Sequence, residues 1–223
     1  QLPREELLDS SNGKEFVNTI PDDILREAAL GALDLFKNTQ RRAYLEMALD
    51  RGWWRALMSA LGELHSWDRR GCMSVLKAES FMLRLLTVLR GTRLYELNWQ
   101  TLAEVLPPAP GGGEQDHLKE IHENPTSDRI ADSISDDSEL SLEPDEAEDL
   151  SDLEDTLWDQ VMEVANRQFY TALGGTGSLV AYYYLKMAER KKLVSLSEML
   201  RRGTPEDERL EALQPLSYRR GGN

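Results

Sequence analysis

The most distinct pattern in the sequence is an apolar face that repeats at helical spacing between Gly71 and Pro108. On a helix of about 3.6 residues per turn, this face holds apolar side chains with one glutamate, Glu79, among them. Its apolar members are Cys72, Val75, Leu76, Met82, Leu83, Leu86 and Leu89. A carboxylate away from water is costly unless it is paired or hydrogen-bonded. The pattern therefore predicts a buried helix in which Glu79 has a partner.

A second segment repeats this arrangement further along the chain. Its apolar face consists of Tyr182, Leu185, Leu193, Leu196 and Leu200, and it again contains one glutamate, Glu189. Leu-Lys precedes the glutamate in both segments, and both helices end in Leu-Arg, at Arg90 and at Arg201. The repetition predicts that Glu189, like Glu79, is held within helix packing.

Upstream of each glutamate segment lies a second matching pair. Residues 51–57 read Arg-Gly-Trp-Trp-Arg-Ala-Leu, and residues 167–173 read Arg-Gln-Phe-Tyr-Thr-Ala-Leu. Both segments thus have an arginine, two adjacent aromatic residues and Ala-Leu in the same order. An internal repeat of motif order indicates repeated structural units. We therefore predict two related helical lobes, in which Arg51 corresponds to Arg167 and Glu79 to Glu189.

Helix signals are found along most of the chain and strand signals are nearly absent, which predicts an all-α fold. Turn residues and composition divide it into four parts. Residues 1–19 are interpreted as a linker or the remnant of a missing lobe. The predicted lobes are 20–110 and 151–223, and an acidic segment containing proline, glycine and serine, 111–150, joins them.

The acidic segment accounts for the net charge of −14. Residues 114–155 contain 17 acidic and two basic side chains, so the rest of the chain is close to neutral. High charge and few aromatic residues predict disorder here. The segment is interpreted as a solubilising insert, or as one regulated by phosphorylation at Ser133, Ser135, Ser138 and Ser141. Its charge argues against nucleic acid and anionic membrane surfaces as partners.

Composition narrows the class of protein further. The chain has 223 residues, of which 40% are hydrophobic, which is enough for one or two globular domains. Its one cysteine, Cys72, excludes an internal disulfide framework. No uninterrupted apolar run of about 18 residues is present, so no membrane span is predicted.

The sequence offers little for catalysis or for a cofactor. Gly174-Gly-Thr-Gly-Ser178 precedes a predicted helix and would cradle a phosphate in a nucleotide-binding enzyme. However, it follows a helix instead of a strand and lacks the lysine of a nucleotide loop, so we interpret it as an interhelical turn. His65, His117 and His122 are not interpreted as a metal site, because two of them lie in the acidic segment and Cys72 is the only thiol. No catalytic residue, cofactor or metal is predicted.

Several of these motifs together resemble a known family. Asp50-Arg51-Gly52-Trp53-Trp54, Glu79 and Leu89-Arg90-Gly91, followed by Leu94-Tyr95, resemble the socket subunit of V-type and A-type rotary ATPases. That subunit is called C in prokaryotes and d in eukaryotes, and the segment around Glu189 is similar to its last lobe.

The chain also departs from the family pattern. It has Phe81 and Arg84 where the family usually has an acid and an amide, and Arg190-Lys191-Lys192 follows Glu189. The family has three lobes and only two are visible, so we expect that a first lobe is missing or that this is a shortened relative.

The resemblance implies a non-catalytic coupling subunit. It would seat the central rotor shaft on the membrane proteolipid ring and transmit torque in proton or sodium transport, at the cytoplasmic face and peripheral to the membrane. Candidate structural or partner-contact residues are Arg51, Glu79, Arg90, Arg93, Arg167, Glu189 and Arg201. The alternative is an all-α protein-interaction module with a regulatory acidic insert and no rotary role.

Overall fold

The computed structural model describes residues 13–39, 42–110, 115–137, 140–172 and 174–213. All regular structure in these ranges is helical, so the predicted all-α class is confirmed. The α-helices are α1 (Gly13–Asn18), α2 (Asp23–Thr39), α3 (Arg42–Glu63), α4 (Ser66–Arg93), α5 (Trp99–Val105), α6 (Gln115–Glu123), α7 (Ser127–Asp137), α8 (Leu150–Thr171), α9 (Thr176–Arg202) and α10 (Glu206–Leu213). A 3-10 helix spans Pro144–Ala147.

The helices form two compact units. Among the described residues, the first unit consists of those within 13–64 and 83–125, and the second of those within 65–82 and 126–213. Helix α4 contributes its first part to the second unit and its last part to the first. These units divide the chain differently from the predicted lobes, because Glu79 and Glu189 both lie in the second unit.

In the first unit, α2 and α3 pack against each other, and α5 packs on α3. The Asp22 carboxylate accepts a hydrogen bond from the backbone N–H of Leu25 at 2.9 Å, which satisfies one free donor at the start of α2. Asn98 does the same for α5, where its side chain accepts from the N–H of Thr101 at 2.9 Å. Tyr44, Leu97 and Leu102 form a buried cluster behind this cap.

Helix α1 corrects part of the predicted linker 1–19. Val17 on this short helix is 1% exposed and packs with Ala29 and Leu33 of α2. The packing of Val17 against α2 stabilises a helix in a segment whose turn residues predicted a linker. Residues 1–12 lie outside the described ranges.

In the second unit, α8 and α9 pack as a helical hairpin, with α10 on α9. Asp149 caps α8 by accepting from the N–H of Ser151 at 2.7 Å. The buried face of α8 has the predicted helical spacing and consists of Leu153, Thr156, Leu157, Val161, Val164 and Ala165. Gly203, with a φ of 73°, ends α9 in the left-handed conformation that favours glycine.

The first part of α4 lies against this hairpin. Gly71 and Gly177 bring two backbones together, since a Cβ on Gly177 would lie 2.4 Å from the carbonyl oxygen of Gly71. One turn further along α4, the Ser74 hydroxyl donates to Gln168 Oε1 at 3.0 Å. The helices therefore approach closely at a point where neither has a side chain.

The predicted disorder of 111–150 is not met over 115–137 and 140–150. Helix α6 buries Leu118 and Ile121 in the first unit, and α7 buries Ile130 and Ile134 in the second. The two residues of each pair are three or four positions apart, and the acidic residues between them are exposed. The segment therefore contains two amphipathic helices, which its high net charge alone does not indicate.

Gln160 of α8 holds the stretch around Ser141 by two hydrogen bonds. Its side-chain oxygen accepts from the N–H of Ser141 at 2.7 Å, and its side-chain NH₂ donates to the Ser141 carbonyl. Leu140 and Leu142 flank this point and are buried. Of the serines predicted as phosphorylation sites, Ser141 is exposed and Ser133 is half-buried on α7. Ser138 and the side chain of Ser135 lie outside what the structure describes.

Candidate partner-binding surfaces

Glu79 is buried, 6% exposed, and the hydroxyl of Tyr184 on α9 donates a hydrogen bond to its carboxylate. Burial raises the pKa of Glu79 to about 7, although the hydrogen bond from Tyr184 acts in the opposite direction. The pKa of Tyr184 is also raised, by burial and by the neighbouring carboxylate. Both side chains therefore lie inside the helix packing of the second unit.

Glu189 lies in a different environment, and its predicted burial is wrong. Its side chain is 56% exposed and pairs with Lys186, three residues earlier on α9. Leu193 and Leu200, which belong to the same predicted face, are also more than half exposed. The segment is helical, as its spacing predicts, but this part of α9 presents the apolar face to the surface.

The Gly174–Ser178 turn joins α8 to α9, as predicted. The N–H of Thr176, at the start of α9, donates to Asp68 Oδ1 of α4 at 3.0 Å. This hydrogen bond holds the pKa of Asp68 below its ordinary value. A carboxylate of the chain itself thus occupies the helix N-terminus that a phosphate would need.

The candidate arginines of the first unit are at helix ends or on exposed faces. Arg51 on α3 donates to the carbonyl of Glu104 at the end of α5. Arg93, in the last turn of α4, donates to the carbonyl of Pro125 at 3.1 Å. Arg90 is half-buried in the same turn. Arg51 and Arg93 therefore tie chain segments together within the unit.

The candidate arginines of the second unit are both exposed. Arg201 pairs with Glu198 at 2.8 Å near the end of α9, and Arg167 lies on the outer face of α8. Exposed pairs of this kind contribute at most about 1 kcal/mol to stability. Both arginines are therefore accessible to a partner.

The two aromatic motifs repeat in local geometry but not in burial. Trp53 and Trp54 meet edge to face with ring centroids 5.4 Å apart, and Phe169 and Tyr170 do so at 5.3 Å. Trp54 is buried, whereas Tyr170 is 66% exposed. The second aromatic residue of each motif therefore differs in burial, although the two ring pairs have similar geometry.

Phe169, Tyr170 and Tyr182 form what we call the aromatic surface, where α8 ends and α9 begins. The rings of Phe169 and Tyr182 are 6.1 Å apart, and the ammonium of Lys186 lies over the Tyr182 ring at 5.7 Å. Sequence reasoning missed this surface. The run Tyr182-Tyr183-Tyr184 was the available signal, because three consecutive residues on a helix point in different directions and cannot all be buried against one neighbour.

A groove of about 750 Å³ lies at the other end of the hairpin, between α8, α9 and α10. Acidic residues on its lining come from α8, and basic ones from α9 and α10. The lining includes Asp155, Trp158, Asp159, Met162, Met187, Arg190, Lys191, Lys192, Leu196, Met199 and Arg209. The Lys191 ammonium lies 5.4 Å from the centre of the Trp158 ring. We refer to it as the α8–α9 groove.

A family model for the ATP synthase (C/AC39) subunit matches residues 1–211. The chain belongs to this family. Comparisons with curated proteins and with solved structures gave no match. The family match confirms the resemblance that the motifs indicate.

As a C/AC39 subunit, the protein is a non-catalytic component of a rotary ATPase of the V/A type, and it is not an enzyme. Phe81 and Arg84, where it departs from the motif pattern, are each 1% exposed. The two departures from the motif pattern are therefore both buried inside the protein.

The chemistry of the described part of this C/AC39 subunit is limited. No group of three or more His, Cys, Asp or Glu side chains there lies close enough to hold a metal ion. Cys72 is buried, which raises the pKa of its thiol. His122 Nε2 lies 2.8 Å from the Leu97 carbonyl oxygen, within the first unit. Within the same ranges, no helix is both long and apolar enough to cross a membrane.

Proposed function

We propose that this protein seats the central rotor shaft of a V/A-type ATPase on the membrane proteolipid ring and transmits torque between them during proton or sodium transport. The observation that carries this proposal is the family match over residues 1–211. In this role the protein acts by packing and shape, at the cytoplasmic face and peripheral to the membrane.

The aromatic surface supports the proposal as a site of partner contact. Tyr170 and Tyr182 are 66% and 49% exposed, and the neighbouring Leu179 is 69% exposed. Aromatic residues are enriched in protein interfaces, where they supply a large contact area with a polar tip. Arg167, one turn before Tyr170 on α8, adds a cation at the same edge. We infer that the shaft or the ring covers this surface.

Co-purification from cells that make the whole ATPase tests the assignment. We expect the tagged chain to retain shaft subunits and the proteolipid ring. Isolation with unrelated soluble proteins in their place would contradict the rotary role and favour the interaction-module alternative.

A matched pair of variants tests the aromatic surface. The double variant Tyr170→Asp with Tyr182→Asp should lose the shaft or the ring. Tyr183→Asp, at a position that is also exposed, should retain both. Circular dichroism should show that all variants melt near the parent temperature, because the changed side chains lie at the surface.

Coupling in the assembled enzyme provides a second readout. If the subunit transmits torque, the fraction of complexes that still assembles with the double variant should transport fewer ions per ATP hydrolysed than complexes with Tyr183→Asp. An unchanged ratio, with shaft and ring both retained, would show that the aromatic surface does not contribute to coupling.

A further inference from the structure

We propose that the α8–α9 groove binds an amphipathic helix of a partner protein, one with basic side chains along one edge of its apolar face and acidic side chains along the other. This inference concerns a different surface from the aromatic one and does not depend on it. The two surfaces lie at opposite ends of the α8–α9 hairpin.

The dimensions of the groove favour a helix. Its lining residues run from Asp152 to Met162 on α8 and from Met187 to Met199 on α9. At 1.5 Å per residue, these stretches are about 15 and 18 Å long, or roughly three helical turns. An elongated site of this length matches a row of side chains at i, i+3, i+4 and i+7 on one helix.

The apolar lining is of a kind that adapts to such a row. Met162, Met187 and Met199 all contribute to it, together with Leu196 and the ring of Trp158. Methionine is unbranched and polarisable, and it is frequent at surfaces that accept helices of varied sequence. These five side chains are half-buried, so they line the groove without being sealed in the core.

Charge selects the edges of the occupant. Asp155 and Asp159 are one turn apart on the α8 side, while Arg190, Lys191 and Lys192 lie on the α9 side. A uniformly acidic partner, including a nucleic acid, would be repelled at α8, and a uniformly basic partner would be repelled at α9. A helix with one edge of each sign satisfies both sides. Turning the helix end for end exchanges its edges, so the same charges also set its direction.

Three synthetic peptides test the proposal with the full-length chain. All have about 18 residues, about 27 Å as a helix, and share one face of leucine and methionine. Their edges carry lysine and glutamate, lysine on both sides, or glutamate on both sides. By isothermal titration calorimetry, we expect the mixed peptide to bind about tenfold more tightly than either uniform peptide. Equal affinities, or no binding of the mixed peptide, would overturn the proposal.

Charge reversal then connects the preference to the groove. In Asp155→Lys with Asp159→Lys both sides are basic, so the peptide with glutamate on both edges should bind most tightly. In Lys191→Glu with Lys192→Glu both sides are acidic, and the preference should pass to the lysine peptide. Either variant suffices if the other does not fold. An unchanged ranking in a folded variant overturns the proposal.

Two further measurements separate this groove from other surfaces. Met187→Glu places a charge in the apolar lining and should reduce binding of the mixed peptide at least tenfold. Asp128→Lys with Asp132→Lys changes exposed charges on α7 away from the groove and should leave the ranking unchanged. Sedimentation should show that the parent does not self-associate through the groove. Self-association of the parent that Met187→Glu abolishes would mean that a second copy occupies the groove, which would contradict a partner helix.

Discussion

The hydroxyl of Tyr184 donates a hydrogen bond to the carboxylate of Glu79 and so joins α9 to α4 within the second unit. The two residues are 105 positions apart in the chain. A buried carboxylate is costly when charged, and the tyrosine offsets only part of that cost, because the pKa of Glu79 remains raised. The pair therefore makes the stability of this unit depend on pH.

Glu79→Gln should remove this dependence. The pKa of Glu79 is about 7 in the folded chain against an ordinary value of 4.5, so the folded state holds the proton more tightly than the unfolded state does. The stability from this group is full below pH 4.5 and is lost as pH rises to 7 and above. Between these limits the parent should lose up to about 3 kcal/mol relative to Glu79→Gln. Urea unfolding of both proteins in acidic and alkaline buffers measures the difference.

Glu189→Gln is the matched control for that experiment, because Glu189 is exposed and paired with Lys186. It should follow the pH profile of the parent. If the stability of Glu79→Gln depends on pH in the same way as that of the parent, the Glu79 carboxylate is solvated instead of buried. Glu79→Ala should destabilise the protein at every pH, since it leaves the Tyr184 hydroxyl without its acceptor.

Gly177→Ala should destabilise the second unit by about 1–3 kcal/mol, the usual range for overpacking. The added methyl group would meet the Gly71 carbonyl oxygen, which belongs to the backbone and cannot rotate away. Gly31→Ala is the control, because a methyl group there meets nothing within 4 Å and α2 continues on both sides. It should gain about 0.5–1 kcal/mol through helix propensity. Thermal melts that rank the two variants in the opposite order would contradict the close approach.

Asp68→Ala should lower the melting temperature and increase hydrogen exchange in the first turn of α9, because the N–H of Thr176 loses its acceptor. Asp68→Asn keeps an acceptor oxygen and should lie between the parent and the alanine variant. The parent should also become less stable as pH falls through the lowered pKa of Asp68, since protonation weakens the acceptor. Equal exchange in all three proteins would exclude the cap.

The acidic segment should be needed for stability. Ile134→Ala removes a side chain that is fully buried on α7, at a cost of about 2–5 kcal/mol in the free energy of unfolding. Asp132→Ala, at an exposed position on the same helix, should stay within about 0.5 kcal/mol of the parent. Urea unfolding distinguishes these outcomes. An Ile134→Ala protein as stable as the parent would support the prediction that this segment is a disordered linker.

Local spacing predicted the helical class and the burial of Glu79 beside a partner, because both follow from which residues share one face of a helix. The spacing favoured an arginine, a lysine or a helix terminus as that partner, whereas the structure has Tyr184. Glu189 shows the limit of that reasoning. Its helix has the same spacing, but whether an apolar face meets a neighbour depends on residues distant in sequence. The groove illustrates the same point, since Asp155 and Lys191 lie on its lining only after α8 and α9 pair.

The predicted disorder of the acidic segment differs from the structure for another reason. Its net charge suggested disorder, yet burial requires only a few apolar residues at the right spacing, such as Ile130 and Ile134. The two units also differ from the predicted lobes. Helix α4 reads as one element, and nothing in its sequence marks the point near Met82 where it passes from one unit to the other.

The second unit is discontinuous in sequence, which affects how it is made on the ribosome. Residues 65–82 emerge about a hundred residues before Gly177 and Tyr184, against which they pack. At 5–20 residues per second, roughly 5 to 20 s separate the two events. During that interval the nascent chain presents the apolar face around Leu76 and Met82 before its native neighbours have been translated, so chaperones that bind exposed apolar segments would act on this stretch.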